Sequence, residues 1–103
     1  MNYEQTRELL KESMVQRNYA LDTQKKFSIS LNAICKYSGK YHDTSLLNHT
    51  DAKNFLENLQ ASNKCGNSTI NNYRAAFKFI FEVTLKKGWN DSIFPYLYAD
   101  KKL

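Results

Sequence analysis

The stretch Gly66-Asn-Ser-Thr-Ile-Asn-Asn-Tyr-Arg-Ala-Ala-Phe-Lys-Phe79 carries two patterns at once. Ile70, Tyr73 and Phe77, continued by Ile80, Phe81 and Thr84, recur at the spacing that lines one face of an α-helix. Asn71, Arg74, Lys78 and Glu82 run along another side, with Asn67 and Ser68 at the start and Asn72 adjacent. The spacing predicts a helix from about Thr69 to Lys87, capped by Asn67 or Ser68 and stopped by Gly88 after two lysines. The run from Phe77 to Val83 is rich in aromatic and β-branched residues and could be read as a strand, but the preceding period and the length favour helix.

Three further helices precede it. The first is expected from about Tyr3 to Arg17, with Asn2 as N-cap, Gln5 at the capping-box position, and Leu9, Leu10 and Met14 on one stripe. The second is expected from about Thr23 to Ser38, capped by Asp22, with Phe27, Leu31, Ile34 and Cys35 inward and Gly39 as a left-handed stop. The third is short, from about Asp51 to Ala61, capped by Thr50 and burying Ala52, Phe55, Leu56 and Leu59; Asn63 to Gly66 ends it. The fourth helix is the main beam of the resulting core.

Composition agrees with an all-α bundle. The chain of 103 residues is 42% hydrophobic and 14% aromatic, with three Gly and one Pro, which suits one self-sufficient domain rather than a linker or a turn-rich β-sandwich. On folding, a chain of this length buries roughly 65% of its unfolded surface. No segment reaches the roughly 18 apolar residues of a spanning helix, and the polar opening from Asn2 to Glu8 is unlike a signal peptide, so a cytoplasmic protein with no membrane partner is expected. Cys35 and Cys65 form no paired motif and read as free thiols without an assigned role.

The formal charge of +5 is unevenly distributed. Residues 20–40 sum to +3 (Lys25, Lys26, Lys36 and Lys40 against Asp22), and residues 63–88 to +4 (Lys64, Arg74, Lys78, Lys86 and Lys87 against Glu82). Residues 1–19 and 89–103 are neutral, and residues 41–62 sum to −2. A basic excess confined to the second and fourth helices is the footprint of a phosphate-binding face, although a run of lysines can equally be a solvated surface. The polar row of the fourth helix adds groups suited to a DNA groove. Amides and guanidinium pair bidentately with purine edges, and a helix N-terminus presents free N–H groups to phosphate. The competing reading is that Asn67 and Ser68 only cap the helix while Asn71 and Asn72 are solvated.

Two segments resemble a known family. Arg17-Asn-Tyr-Ala-Leu-Asp-Thr-Gln-Lys-Lys-Phe-Ser-Ile-Ser-Leu-Asn-Ala-Ile34 is similar to the opening of the core-binding domain of tyrosine recombinases, the phage-type integrases. Ser68-Thr-Ile-Asn-Asn-Tyr-Arg-Ala-Ala-Phe-Lys-Phe-Ile-Phe81 is similar to that domain's last core helix, and Lys86-Lys-Gly-Trp89 to its basic exit. The likeness extends from about Leu9 to Pro95, with Ala20-Leu21 where the family has Ser-Pro and Asn72 where it has a basic residue.

The resemblance implies a four-helix SAM-like orthogonal bundle with a short C-terminal tail or turn of helix, about 3–95 folded, forming half of a clamp on duplex DNA. It implies Thr23, Lys25 and Lys26 of the second helix, and Ser68, Thr69, Asn71, Asn72, Arg74 and Lys78 of the fourth, at the DNA. Lys25, Lys26, Arg74 and Lys78 then suit the backbone, and Asn71 and Asn72 the base edges. Family chemistry is attack by a tyrosine on a phosphate, assisted by arginine, lysine and histidine in a C-terminal domain. On this reading residues 96–103, with Lys101-Lys102, begin the linker to that domain, which is absent here.

Residues alone point the same way on catalysis. Seven tyrosines are available, but none is accompanied by an Arg-and-His cluster. His42 and His49 lie in a polar connector that completes no metal-binding spacing, so neither a metal nor another cofactor is expected. The partners expected are double-stranded DNA, the catalytic domain of the same polypeptide and recombinase protomers in a synaptic tetramer. Two alternatives stay open. One is a free-standing DNA-binding regulator of the same fold; the other is a protein-interaction or oligomerisation module using the aromatic tail Tyr96-Leu-Tyr98.

Overall fold

The computed structural model describes residues 1–62, 66–90 and 92. The expected tail from Tyr96 to Tyr98, the linker with Lys101 and Lys102, and Cys65 lie outside the described residues. Four helices, α1 (Tyr3–Gln16), α2 (Leu21–Ser38), α3 (His49–Ser62) and α4 (Asn67–Phe79), form an all-α bundle, with a 3-10 turn at Thr44–Leu46 and a π-helical segment at Ile80–Thr84 after α4. The described residues contain no strand. α4 packs against both α2 and α3, and its π-helical continuation lies against α1.

Burial follows the stripes read in the sequence with one correction: Leu9, expected on the inward stripe of α1, is 40% exposed because it points about 100° away from Leu10. Phe27 and Leu59 are half-buried at the edge of the core. Leu10 and Met14 of α1, Leu31, Ile34 and Cys35 of α2, Ala52 and Leu56 of α3, and Ile70, Phe77, Ile80 and Phe81 are all buried. Phe55 joins three helices: its ring centroid lies 5.5 Å from Tyr37 on α2 and 5.2 and 5.3 Å from Tyr73 and Phe77 on α4. Edge-on and tilted aromatic contacts of this kind add to the burial of their area. Burial also pushes the Cys35 thiol up to about 11, as expected where a thiolate would lose its water.

The helix ends follow local chemistry in some places and not in others. α1 has the expected capping box, with Gln5 N donating to Asn2 Oδ1 and Asn2 N donating to Gln5 Oε1, both at 2.9 Å. Gly39 closes α2 at a φ of 71°, a left-handed conformation that a side chain would strain. The expected cap of α2 is corrected: the helix starts at Leu21 after Ala20, and Asp22 lies within the first turn, 3.3 Å from Lys26. A first-turn carboxylate still complements the helix dipole.

α3 begins two residues earlier than expected, because Asn48 rather than Thr50 makes the reciprocal cap with Asp51, both bonds being 3.0 Å. His49 is therefore a helical residue and not part of the connector. α4 also begins two residues early, with extended Gly66 as N-cap and no side-chain capping bond, so Asn67 and Ser68 lie inside the first turn instead of capping it.

The far end of α4 departs most from expectation. Regular α-helix stops at Phe79, and the chain widens into the π segment, where Leu85 N donates to Ile80 O at 2.8 Å. Ile80, Val83 and Thr84, all β-branched, crowd this turn. Lys86 (φ 55°) and Gly88 (φ 75°) are left-handed, so the helix does not reach Lys87. The chain turns back across the α2–α3 connector, where the Lys87 ammonium donates to the carbonyls of Ser45 and Leu47.

Removing the most central ring should show this dependence. Phe77→Ala is expected to cost about 3–5 kcal/mol in urea unfolding, since Phe77 is fully buried between α3 and α4. In a Cys65→Ser background, Cys35 should react with a thiol reagent only as fast as the chain unfolds, because its thiol is both buried and protonated at neutral pH.

Candidate nucleic-acid interface

α2 and α4 enclose an open groove. Thr23, Lys26, Phe27, Ile29 and Ser30 line one wall, and Thr69, Asn72, Tyr73 and Ala75 the other. Four residues singled out in the sequence, Thr23, Lys26, Thr69 and Asn72, therefore meet in one place although more than forty positions separate the two groups. These four bring a cation, two hydroxyls and an amide together beside the apolar Phe27 and Ile29, a set that can bind phosphate oxygens and hydrogen-bond base edges.

The other five stand elsewhere. Lys25 turns to the opposite flank of α2, into a cleft against α1 that is also lined by Arg7, Lys11, Leu21, Asp22, Gln24, Ser28 and Ile29. Ser68 is exposed on the first turn of α4. Asn71, Arg74 and Lys78 follow one another at three- and four-residue spacing on the flank of α4 away from the groove, where they are half-buried and have contacts of their own. Successive helical residues point about 100° apart, so Asn71 and Asn72 cannot face the same way. The polar row of α4 is thus two rows, and only the Asn72 side faces α2.

The end of the groove is closed by an aromatic cluster. Phe27 lies 5.6 Å from Phe79 and 6.0 Å from Tyr19, and Tyr19 lies 5.3 Å from Phe79, tying the α1–α2 turn to the last turn of α4. The Arg17 guanidinium is held 5.6 Å over the Phe79 ring and donates to Ser13 O at 3.1 Å. A cation over a ring face is favoured electrostatically and keeps its charge at the surface.

Arg7, Lys11 and Arg17 did not stand out in the sequence, because the acidic residues of the first segment cancel them in a sum. The Arg7 guanidinium does pair with Glu4 at 3.4 Å, but an exposed pair of this kind is weak. A usable signal was available: Arg7, Lys11 and Lys25 converge once α1 and α2 are packed antiparallel across a short turn.

Not every lysine in the basic segments is available to a ligand. Lys40 Nζ lies 2.6 Å from Asp51 and 3.1 Å from Leu46 O, and Lys87 is committed to two connector carbonyls. Both lysines tie the α2–α3 connector in place. His49 Nε2 donates to Gly88 O at 3.1 Å while its ring packs on Phe81 and Trp89, so this imidazole also supports the chain's return. Among the described residues no three His, Cys, Asp or Glu side chains form a metal-binding group, and no helix is long and apolar enough to cross a membrane. Tyr3 and Tyr41 pack edge to face at 5.3 Å, and the Tyr41 hydroxyl bonds Asn32 Oδ1 at 2.7 Å. Burial, the largest influence, pushes the Tyr3 phenol above its usual range, which does not favour a nucleophile.

Residues 7–91 match the family model described as phage integrase, N-terminal SAM-like domain. The chain belongs to that family. Among curated proteins, this SAM-like domain is 30% identical over 83 residues to a Sinorhizobium fredii protein named as an integrase/recombinase. The match covers 81% of the domain's chain and 26% of that relative, so the chain spans about a quarter of the relative's length. No solved structure matches it.

The two classes of lysine should separate in a stability measurement. Lys40→Met is expected to lower the unfolding free energy by about 1–3 kcal/mol, because it strands Asp51 and a connector carbonyl, whereas Lys25→Met should change it by less than about 0.5 kcal/mol.

Proposed function

We propose that this integrase SAM-like domain is a non-catalytic DNA-binding module that clamps one side of a duplex through α2 and α4 while a separate C-terminal domain cuts the strand. The observation that carries the reading is the α2–α4 groove, in which Lys26, Thr23, Thr69 and Asn72 converge. Phosphate neutralisation releases condensed counterions, so cations on both flanks of α2 would supply sequence-independent attraction. Asn72 is the residue of the pair best turned to a base edge beside α2. Asn71, Arg74, Lys78 and Ser68 would meet the backbone or a second stretch of DNA along the outer flank of α4.

In the full recombinase the partners would be the catalytic domain and the other protomers of a synaptic tetramer, acting on bacterial chromosomal or phage DNA in the cytoplasm. Strand cleavage would rest with the arginine, lysine, histidine and tyrosine groups of that other domain. The described tyrosines of this chain have packing roles: Tyr3 against Tyr41, Tyr19 against Phe79, and Tyr37 and Tyr73 against Phe55, which supports placing the nucleophile elsewhere.

Fluorescence anisotropy with a labelled duplex tests the reading. With four to six phosphates contacted, log Kd should rise with log salt at a slope of roughly 4 to 5, and Lys26→Ala or Arg74→Ala should reduce that slope by about one while weakening all sequences alike. Asn72→Ala should cost about 1–3 kcal/mol on a preferred site and little on random DNA. Binding that is insensitive to salt contradicts the electrostatic part. Incubation with nicked suicide substrates should leave no covalent protein–DNA adduct, and a tyrosine-linked adduct would overturn the division of labour.

A further inference from the structure

Two large aliphatic side chains of α2 point into water. Leu21 is 78% exposed and Ile29 60% exposed, whereas Leu31 and Ile34 of the same helix are fully buried. Leu21, Lys25 and Ile29 follow at four-residue spacing and so share one edge of the helix. This edge is a ridge between two depressions. Ile29 lines both: the α2–α4 groove with Lys26 and Thr69, and the α1–α2 cleft with Arg7, Lys11 and Lys25. Leu21, on the first residue of the helix, lines only the cleft.

An exposed isoleucine contributes little to the bundle, yet it sits at the crest of a basic ridge. A helix with its side chains is about 10–12 Å across, close to the roughly 12 Å width of the major groove. With that ridge in the groove, Lys26 would meet the phosphates of one strand and Arg7, Lys11 and Lys25 those of the other. The crest residue then faces the base-pair edges. An apolar protein partner would have to bury four cations against only the Glu4 and Asp22 carboxylates, which is costly, whereas two phosphate strands neutralise them. Isoleucine has no donor or acceptor, and the apolar feature that the major groove offers it is the 5-methyl group of thymine.

From this arrangement we infer that Ile29 is a specificity-determining residue that recognises a thymine methyl in the major groove. The inference rests on the DNA-binding reading above and adds to it a base, a contact and a second, α1-side row of backbone ligands.

The test starts with a random duplex pool from which the 103-residue chain enriches preferred sequences over repeated rounds of selection. Thymines of the winning duplex are then replaced singly by deoxyuridine, which deletes the methyl group and keeps every hydrogen-bonding group. One replacement should weaken binding about fourfold, the effect of one buried methyl. The same replacement should have no effect on Ile29→Ala, while Ile29→Val should keep part of it. Thermal melting of Ile29→Ala should match the parent, because the side chain is largely in water. Deoxyuridine sensitivity that persists in Ile29→Ala, or that occurs at no position with the parent chain, overturns the inference and leaves DNA binding intact. Failure to enrich or bind any duplex overturns both.

Discussion

The packing of Phe55 against Phe77 and Tyr73 fixes the rotation of α4 about its own axis, and the interface depends on that rotation. Ile70 and Phe77 are buried on one side of the helix, so Thr69 and Asn72 are carried into the groove with α2 and Asn71, Arg74 and Lys78 onto the opposite flank. A turn of one residue, about 100°, would exchange the two amides and strand a phenylalanine in water. Core packing therefore selects the face that is offered to DNA. The aromatic cluster of Tyr19, Phe27 and Phe79 does the same for the groove's end by holding the α1–α2 turn on α4.

The charges divide along the same line. Lys40 bonds a connector carbonyl and the Asp51 carboxylate at the start of α3, and Lys87 bonds two connector carbonyls and so holds the chain's return after the π segment. Lys25, Lys26 and Lys11 are exposed along the two flanks of α2. Repulsion among such exposed cations is screened over about 8 Å at physiological salt, and Lys26 also has the Asp22 carboxylate 3.3 Å away, so the bundle tolerates them. Their convergence becomes useful only when a polyanion replaces the screening ions.

Much of the fold was legible because it is written in local patterns. The Asn2 and Gln5 capping box, the glycine stop at Gly39 and the inward stripe of α4 each depend on neighbours in sequence, and each is present in the structure. The starts of α2, α3 and α4 were misread where several capping residues stand in a row. Asn48 and Thr50 both suit the cap of α3, and the reciprocal bonds with Asp51 decide for Asn48. The π segment has no local signature beyond β-branching, and its wide turn goes with contacts to α1 and to the connector. At the site, the pairing of Thr23 and Lys26 with Thr69 and Asn72 followed the helix faces. Arg7 and Lys11 were hidden because a charge sum along the chain does not see which side of a helix a residue occupies.

The central claim is that duplex DNA meets the groove between α2 and α4. An amide chemical-shift titration of the isotopically labelled chain with a short duplex measures this most directly. The account predicts shifts concentrated at residues 23–30 and 67–78, with α3 unperturbed. Shifts confined to α3, with both of those segments silent, would contradict it and favour a protein-interaction module in its place.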